Sequence, residues 1–220
     1  MSSKSLSLVA AAALALCSFA SQAANQIANG GFETAGATAT GAASWLGSPA
    51  NASRDCTVSL SGSCSMMLMS PAFNAAGTEQ NSGKDGGMAP LDLGEVAVLS
   101  FSAMGFGGST GDFKARLAYL DGGGNVKYDS NFVSFGSQLS TSSWKSFSIT
   151  GAAASQAGLY AFVQFYQPIG PIGTGPAGEN WVKGQVWVDD VAVVPEPETY
   201  AMMLAGLVGV GAMVRRRRSV

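Results

Sequence analysis

Between Asn25 and Val194 no stretch sustains a helical period, and glycine, serine and aspartate clusters interrupt the apolar runs every few residues. A chain punctuated in this way is confined to β architectures: apolar residues at two-residue intervals bury one face of a strand, whereas a helix needs them three and four apart. Eight segments read as strands, namely Ser65 to Met69, Val96 to Phe101, Phe113 to Leu120, Val126 to Tyr128, Phe132 to Phe135, Trp144 to Ile149, Leu159 to Tyr166 and Gln185 to Val194. In the third, Phe113, Ala115, Leu117 and Tyr119 alternate with Lys114 and Arg116, the pattern of a half-buried strand. The glycines of Asp121-Gly122-Gly123-Gly124-Asn125 then permit a tight reversal. Leu159 to Tyr166 is apolar on both faces apart from Gln164, which predicts a central strand. The segments Ala35 to Ala43 and Gly170 to Gly178, rich in small residues, glycine and proline, read as surface loops. With no helix between the strands, the chain is expected to be all-β: two antiparallel sheets packed as a jelly-roll sandwich.

The ends follow different rules. Lys4 precedes an apolar run from Leu6 to Ala20, and Ser21-Gln22-Ala23 supplies the small-x-small triplet a signal peptidase accepts, so residues 1–23 read as a secretion signal cleaved after Ala23. At the other end Val194-Pro195-Glu196-Pro197-Glu198-Thr199 leads into an apolar stretch, Tyr200 to Val214, closed by Arg215, Arg216, Arg217 and Arg218. The arginines stop translocation and stay cytoplasmic, the orientation the N-terminal signal independently requires. As a helix the 15 residues from Tyr200 to Val214 reach roughly 22 Å, short of a hydrocarbon core of roughly 30 Å. A transient signal therefore fits better than a permanent span, and a plain tail anchor with a proline-rich stem is the alternative.

The order of short motif (194–201), apolar helix (200–214) and basic cluster (215–218) closely resembles the PEP-CTERM sorting signal, which here occupies residues 195–220 with Pro195, Glu196 and Pro197 as the motif's centre. The resemblance implies recognition by an exosortase-type membrane protease or transpeptidase, removal of the tail, and delivery to the cell surface or an extracellular matrix. Pro195 and Pro197 hold the motif extended, as a peptide entering an enzyme cleft must be.

The body that remains, residues 24–194, is enough for one domain. Twelve acids face seven bases in it, a difference of minus five, which argues against a nucleic-acid partner. The chain contains no histidine, which removes the usual general base, the Ser-His-Asp arrangement and imidazole metal sites together. Cys17 leaves with the signal peptide. Cys56 and Cys64 then form an even pair in an oxidising compartment and are expected to be disulfide-bonded, two separate buried thiols being the alternative.

Across the body, Asn29-Gly30-Gly31-Phe32-Glu33, Trp45, Thr141-Ser142-Ser143-Trp144-Lys145-Ser146-Phe147 and Val188-Asp189-Asp190-Val191 resemble, in order and separation, the galactose-binding-like jelly roll of carbohydrate-binding modules. The resemblance implies that the first and last strands lie side by side. It also implies one structural Ca2+ where they meet, held by Glu33 and Asp190; two solvated acids at a strand end are the bland alternative. Sugar-binding members stack exposed aromatic rings on pyranose faces. Trp181, Tyr166 and Trp45 are the leading candidates, with Tyr128 and Trp187 behind them, while Trp144 matches a core position. Taken together, these readings predict an exported, non-catalytic surface or matrix protein that binds polysaccharide, in an exopolysaccharide or biofilm setting. A ligand-free structural component and a glycoside-active enzyme using paired carboxylates are the alternatives.

Overall fold

The computed structural model describes residues 24–38, 40–47, 51–70, 75–106, 113–167 and 184–196. Residues Asn25–Pro195 form one compact unit. The predicted signal peptide and the apolar helix at 200–214 lie outside the described residues, and among the described residues no helix is long and apolar enough to cross a membrane.

Among the described residues eleven strands follow in chain order: β1 (Leu46–Gly47), β2 (Ala52–Asp55), β3 (Ser65–Ser70), β4 (Ala76–Asn81), β5 (Val96–Phe106), β6 (Lys114–Leu120), β7 (Val126–Asp129), β8 (Val133–Ser134), β9 (Lys145–Ala153), β10 (Tyr160–Gln167) and β11 (Gly184–Pro195). Six make one sheet in the order β1-β4-β10-β6-β7, with β8 also paired to β6, and five make the other in the order β2-β3-β11-β5-β9. Every pairing is antiparallel, as a jelly-roll sandwich requires.

Each of the eight segments read from the sequence contains a strand. The Phe132 to Phe135 segment contributes only Val133–Ser134 to the ladder, and Phe135 beside them drops into the core. Strand β10 is central, flanked by β4 and β6. Its near-continuous apolar sequence reflects that place: Ala161, Val163 and Phe165 are fully buried between the sheets. Phe101 of β5 is the hub of the inner layer, meeting Phe165 at 5.0 Å, Phe135 at 5.4 Å, Phe147 at 5.5 Å and Phe113 at 6.2 Å between ring centroids. Burying each such ring stabilises the fold by about 1.5–3 kcal/mol.

Strands β1, β2 and β4 escape sequence reading. In β4, Ala-Gly-Thr-Glu-Gln-Asn, the inward positions are Ala76, Thr78 and Gln80, all buried although two are polar. Their burial is made tolerable by backbone partners. Gln80 Oε1 accepts from Ala28 N at 2.9 Å, Gln80 Nε2 donates to Ala28 O at 2.9 Å, and Thr78 Oγ1 donates to Leu46 O at 3.0 Å.

The N-terminal segment runs beside the last strand without itself becoming one. Gln26 N donates to Val193 O at 2.7 Å, Val193 N to Asn25 Oδ1 at 2.9 Å, and Val191 N to Gly30 O at 3.0 Å. A Cβ at Gly30 would stand 1.9 Å from Val191 O, so only glycine lets the two backbones approach this closely.

Candidate functional site

The outer face of the six-stranded sheet gathers aromatic and hydrogen-bonding side chains. Because alternate residues of a strand share a face, β10 directs Tyr160, Phe162, Gln164 and Tyr166 outward, all half-buried. The antiparallel register sets Gln164 between Glu79 of β4 and Arg116 of β6, and Tyr166 beside Lys114. Gln164 Nε2 donates to Glu79 Oε2 at 2.9 Å. Arg116 Nη1 donates to Asp129 Oδ2 at 3.1 Å, while its guanidinium lies 5.0 Å from the Phe132 ring centroid and 5.3 Å from that of Phe162. Phe132, 39% exposed at the edge of the sheet, packs on Tyr166 with centroids 5.6 Å apart. Rings held by a stacked cation, beside amide, carboxylate and ammonium groups, offer an apolar surface ringed by donors and acceptors.

Of the aromatic residues singled out in the sequence, Tyr166 lies on this face. Trp45 does not: it is buried in the core, 5.0 Å from Phe32 and 6.1 Å from Phe165, with Nε1 donating to Asn29 O at 3.1 Å, and its ring cannot meet a ligand. Trp181 lies outside the described residues. Tyr128 packs on Tyr119 at 4.9 Å, and Trp187 is buried, donating from Nε1 to Asp55 Oδ2 at 2.8 Å. Sequence reading missed Phe132, Phe162, Arg116, Gln164 and Glu79. The lone polar residue in an apolar strand, Gln164, was a usable signal, but its neighbours come from strands whose register local pattern does not reveal.

Where the N-terminal segment of the body meets the last strand, Asp189 is fully buried beneath the β2–β3 loop and Asp190 is exposed. The expectation that Asp190 is the inward partner of Glu33 is therefore corrected to Asp189. The reason is a bulge between Asp189 and Ala192, with Asp190 at φ +50°, which shifts the register of β11 against β5. Cys56 and Cys64 are bonded and close the loop between β2 and β3. That loop lies over the acids. Leu60 N and Ser61 N donate to Asp189 Oδ2 at 2.8 and 3.1 Å, Ser63 N and Cys64 N donate to Glu33 Oε1 at 2.9 and 3.0 Å, and Ser61 Oγ donates to Asp190 Oδ1. Gly62, at φ +59°, fits only because it lacks a Cβ, which would fall 2.3 Å from Glu33 Oε1.

The two carboxyls are driven in opposite directions. The amides of Ser63 and Cys64 hold Glu33 below its usual range, with a smaller contribution from the Arg54 charge. Burial pushes Asp189 up, against the amides of Ser61, Leu60 and Asp190. These groups are a poor fit for the calcium the resemblance implies. Calcium takes six or more oxygens, whereas here N–H donors already point at the carboxylate oxygens, and among the described residues no group of three acids, cysteines or histidines is placed to hold a metal.

Comparison with known proteins adds the tail and the fold. Residues 193–218 match the PEP-CTERM protein-sorting motif, which implies export, sorting to the cell surface and processing by an exosortase. No curated protein is significantly similar to the chain. Among solved structures, the enzymatically active domain of tailspike protein 4 from bacteriophage CBA120 is similar with a TM-score of 0.54 and 18% identity, over 78% of this chain and 21% of that one. An arabinose-bound MgGH51 α-L-arabinofuranosidase gives 0.53 and 15%, over 80% and 27%. The chain thus spans about a fifth to a quarter of the length of these two proteins. The CBM22-1 xylan-binding domain of Paenibacillus barcinonensis Xyn10C gives 0.49 and 12%, over 79% and 96%. At these identities the likeness concerns the fold alone. The chain is a two-sheet antiparallel jelly-roll β-sandwich followed by a PEP-CTERM sorting motif.

Proposed function

We propose that the chain is an exported, non-catalytic surface protein whose sandwich adheres to glycans through the outer face of its six-stranded sheet, and whose tail is removed by an exosortase after signal peptidase has acted at the other end. The observation that carries this reading is the platform of Phe132, Tyr166 and Phe162 around Arg116, with Gln164 and Glu79 alongside. Stacked rings suit the apolar C–H face of a pyranose, and the amide and charged groups suit its hydroxyls. The carboxylates on this face are already engaged, Glu79 by Gln164 and Asp129 by Arg116. This supports a binding role over a proton-transfer role for them. A polysaccharide of the matrix around the producing cell is the partner such a surface would meet after sorting.

The test is a glycan array with the purified full-length chain, followed by titration calorimetry on the best ligand. Phe132→Ala and Tyr166→Ala are each expected to weaken binding at least about tenfold, the equivalent of about 1.4 kcal/mol. Trp181→Ala serves as the comparison, since the sequence favoured Trp181. If that variant alone loses binding, the site belongs to the segment around Trp181 and the sheet face is the wrong assignment.

A further inference from the structure

Arg54 reaches the N-terminal side of the acidic junction. From β2 its Nε donates to Phe32 O at 2.6 Å and its Nη2 to Glu33 O at 2.7 Å, so one guanidinium spans two successive carbonyls of the N-terminal segment. Those carbonyls belong to Glu33 and the residue before it, and hard backbone oxygens together with a carboxylate are what a calcium ion would require. Here both carbonyls already accept from a fixed cation. Three of the four carboxylate oxygens of Glu33 and Asp189 are engaged in the same way: Glu33 Oε1 takes two backbone amides, Asp189 Oδ2 takes two, and Asp189 Oδ1 takes the amide of Asp190 at 2.7 Å.

We infer that Arg54 and the amides of the disulfide-closed loop take the place of a metal ion at this junction, so that the sandwich is closed by a built-in cation and is indifferent to calcium. Two physical points carry this. First, amide hydrogens carry partial positive charge, so a dication brought to these carboxylates would meet five N–H dipoles of its own sign and a full guanidinium charge. Second, the donors are held in place before any ion arrives. The Cys56–Cys64 bond closes the loop, Arg54 lies within paired β2, and Gly62 adopts the left-handed backbone that lets the loop turn over Glu33. A site preorganised with donors repels a cation as firmly as one preorganised with acceptors attracts it. In use, a surface protein of this kind would keep its fold when chelators or acidic polymers strip calcium from its surroundings, and it would depend instead on an oxidising environment.

Thermal unfolding of the purified full-length chain decides the matter, first in EDTA and then in millimolar calcium chloride. A ligand that binds only the folded state raises its melting temperature. The expected result is the same Tm in both buffers to within about 1 °C, and a calcium-induced rise of about 5 °C or more would overturn the inference. Calorimetric titration with calcium chloride should show no binding to the junction, and a one-to-one isotherm lost on Glu33→Gln would overturn it equally. Arg54→Met keeps the aliphatic stem and removes the charge, and it is expected to lower Tm by several degrees. An unchanged Tm in that variant would mean that Arg54 does not close the junction. Should Arg54→Met fail to fold, the two calcium measurements on the native chain still decide.

Discussion

Asp55 shows how one side chain joins two distant parts of the chain. Its Oδ1 accepts from Thr57 N and Oγ1 at 2.8 and 2.7 Å, turning the chain into the disulfide loop, and its Oδ2 accepts from the Trp187 indole of the last strand. Burial alone would raise its pKa, but the donors from Thr57 and Trp187 outweigh it and hold the group below its ordinary 3.8. A carboxyl depressed in this way stabilises the fold wherever it is ionised in both states, and that stabilisation is lost as pH falls through 3.8 and then through the lower native value. Asp55→Asn should therefore be less stable than the native chain at pH 6, and the gap should narrow as pH falls below 3.8, as measured by urea unfolding across that range. A gap that stays constant with pH would mean that the charge on Asp55 contributes nothing.

Elements here owe their legibility to apolar content. β6 and β10 announce themselves because their inward residues are Ala, Leu, Val, Phe and Tyr at two-residue spacing. β4 is silent because its inward Thr78 and Gln80 are polar and are buried only by pairing with backbone groups supplied from residues 28 and 46. No local pattern encodes partners so far away in the chain. The β2–β3 connection was legible in one respect: two cysteines eight residues apart in an exported chain imply a bond. The chain-entropy relation gives closure of this short loop about 2.6 kcal/mol. Replacing Cys56 and Cys64 together by serine should lower the unfolding free energy by up to that amount. Denaturant melts of the oxidised native chain and the double variant make the comparison, and equal midpoints would show that the hydrogen bonds its amides donate to Glu33 and Asp189 hold the loop unaided.

On the scale of the molecule, the sorting motif begins inside the folded body. Val193, Val194 and Pro195 are paired with β5, and Val193 is held on its other edge by Asn25 and Gln26, a few residues beyond the predicted signal-peptide cleavage point. A strand paired on both sides cannot also lie extended in a protease cleft. Processing is therefore expected to leave β11 whole, so that the intact mass of the mature protein lacks Arg215–Arg218 but retains Pro195. A terminus upstream of Pro195 would mean that the end of β11 unzips before cleavage, and retained arginines would argue against processing altogether.

What the linear chain determined by itself was whatever acts locally or through composition: the sorting motif near its C-terminus, the β class, the position of most strands, the disulfide and the absence of histidine chemistry. Only the tertiary structure decided which side chains meet. Register placed Gln164 between Glu79 and Arg116, burial removed Trp45 from candidacy, and a bulge in β11 exchanged Asp190 for Asp189. The physical reason is that each of these contacts joins residues dozens of positions apart, and strand pairing, set by the packing of both sheets together, fixes them all at once.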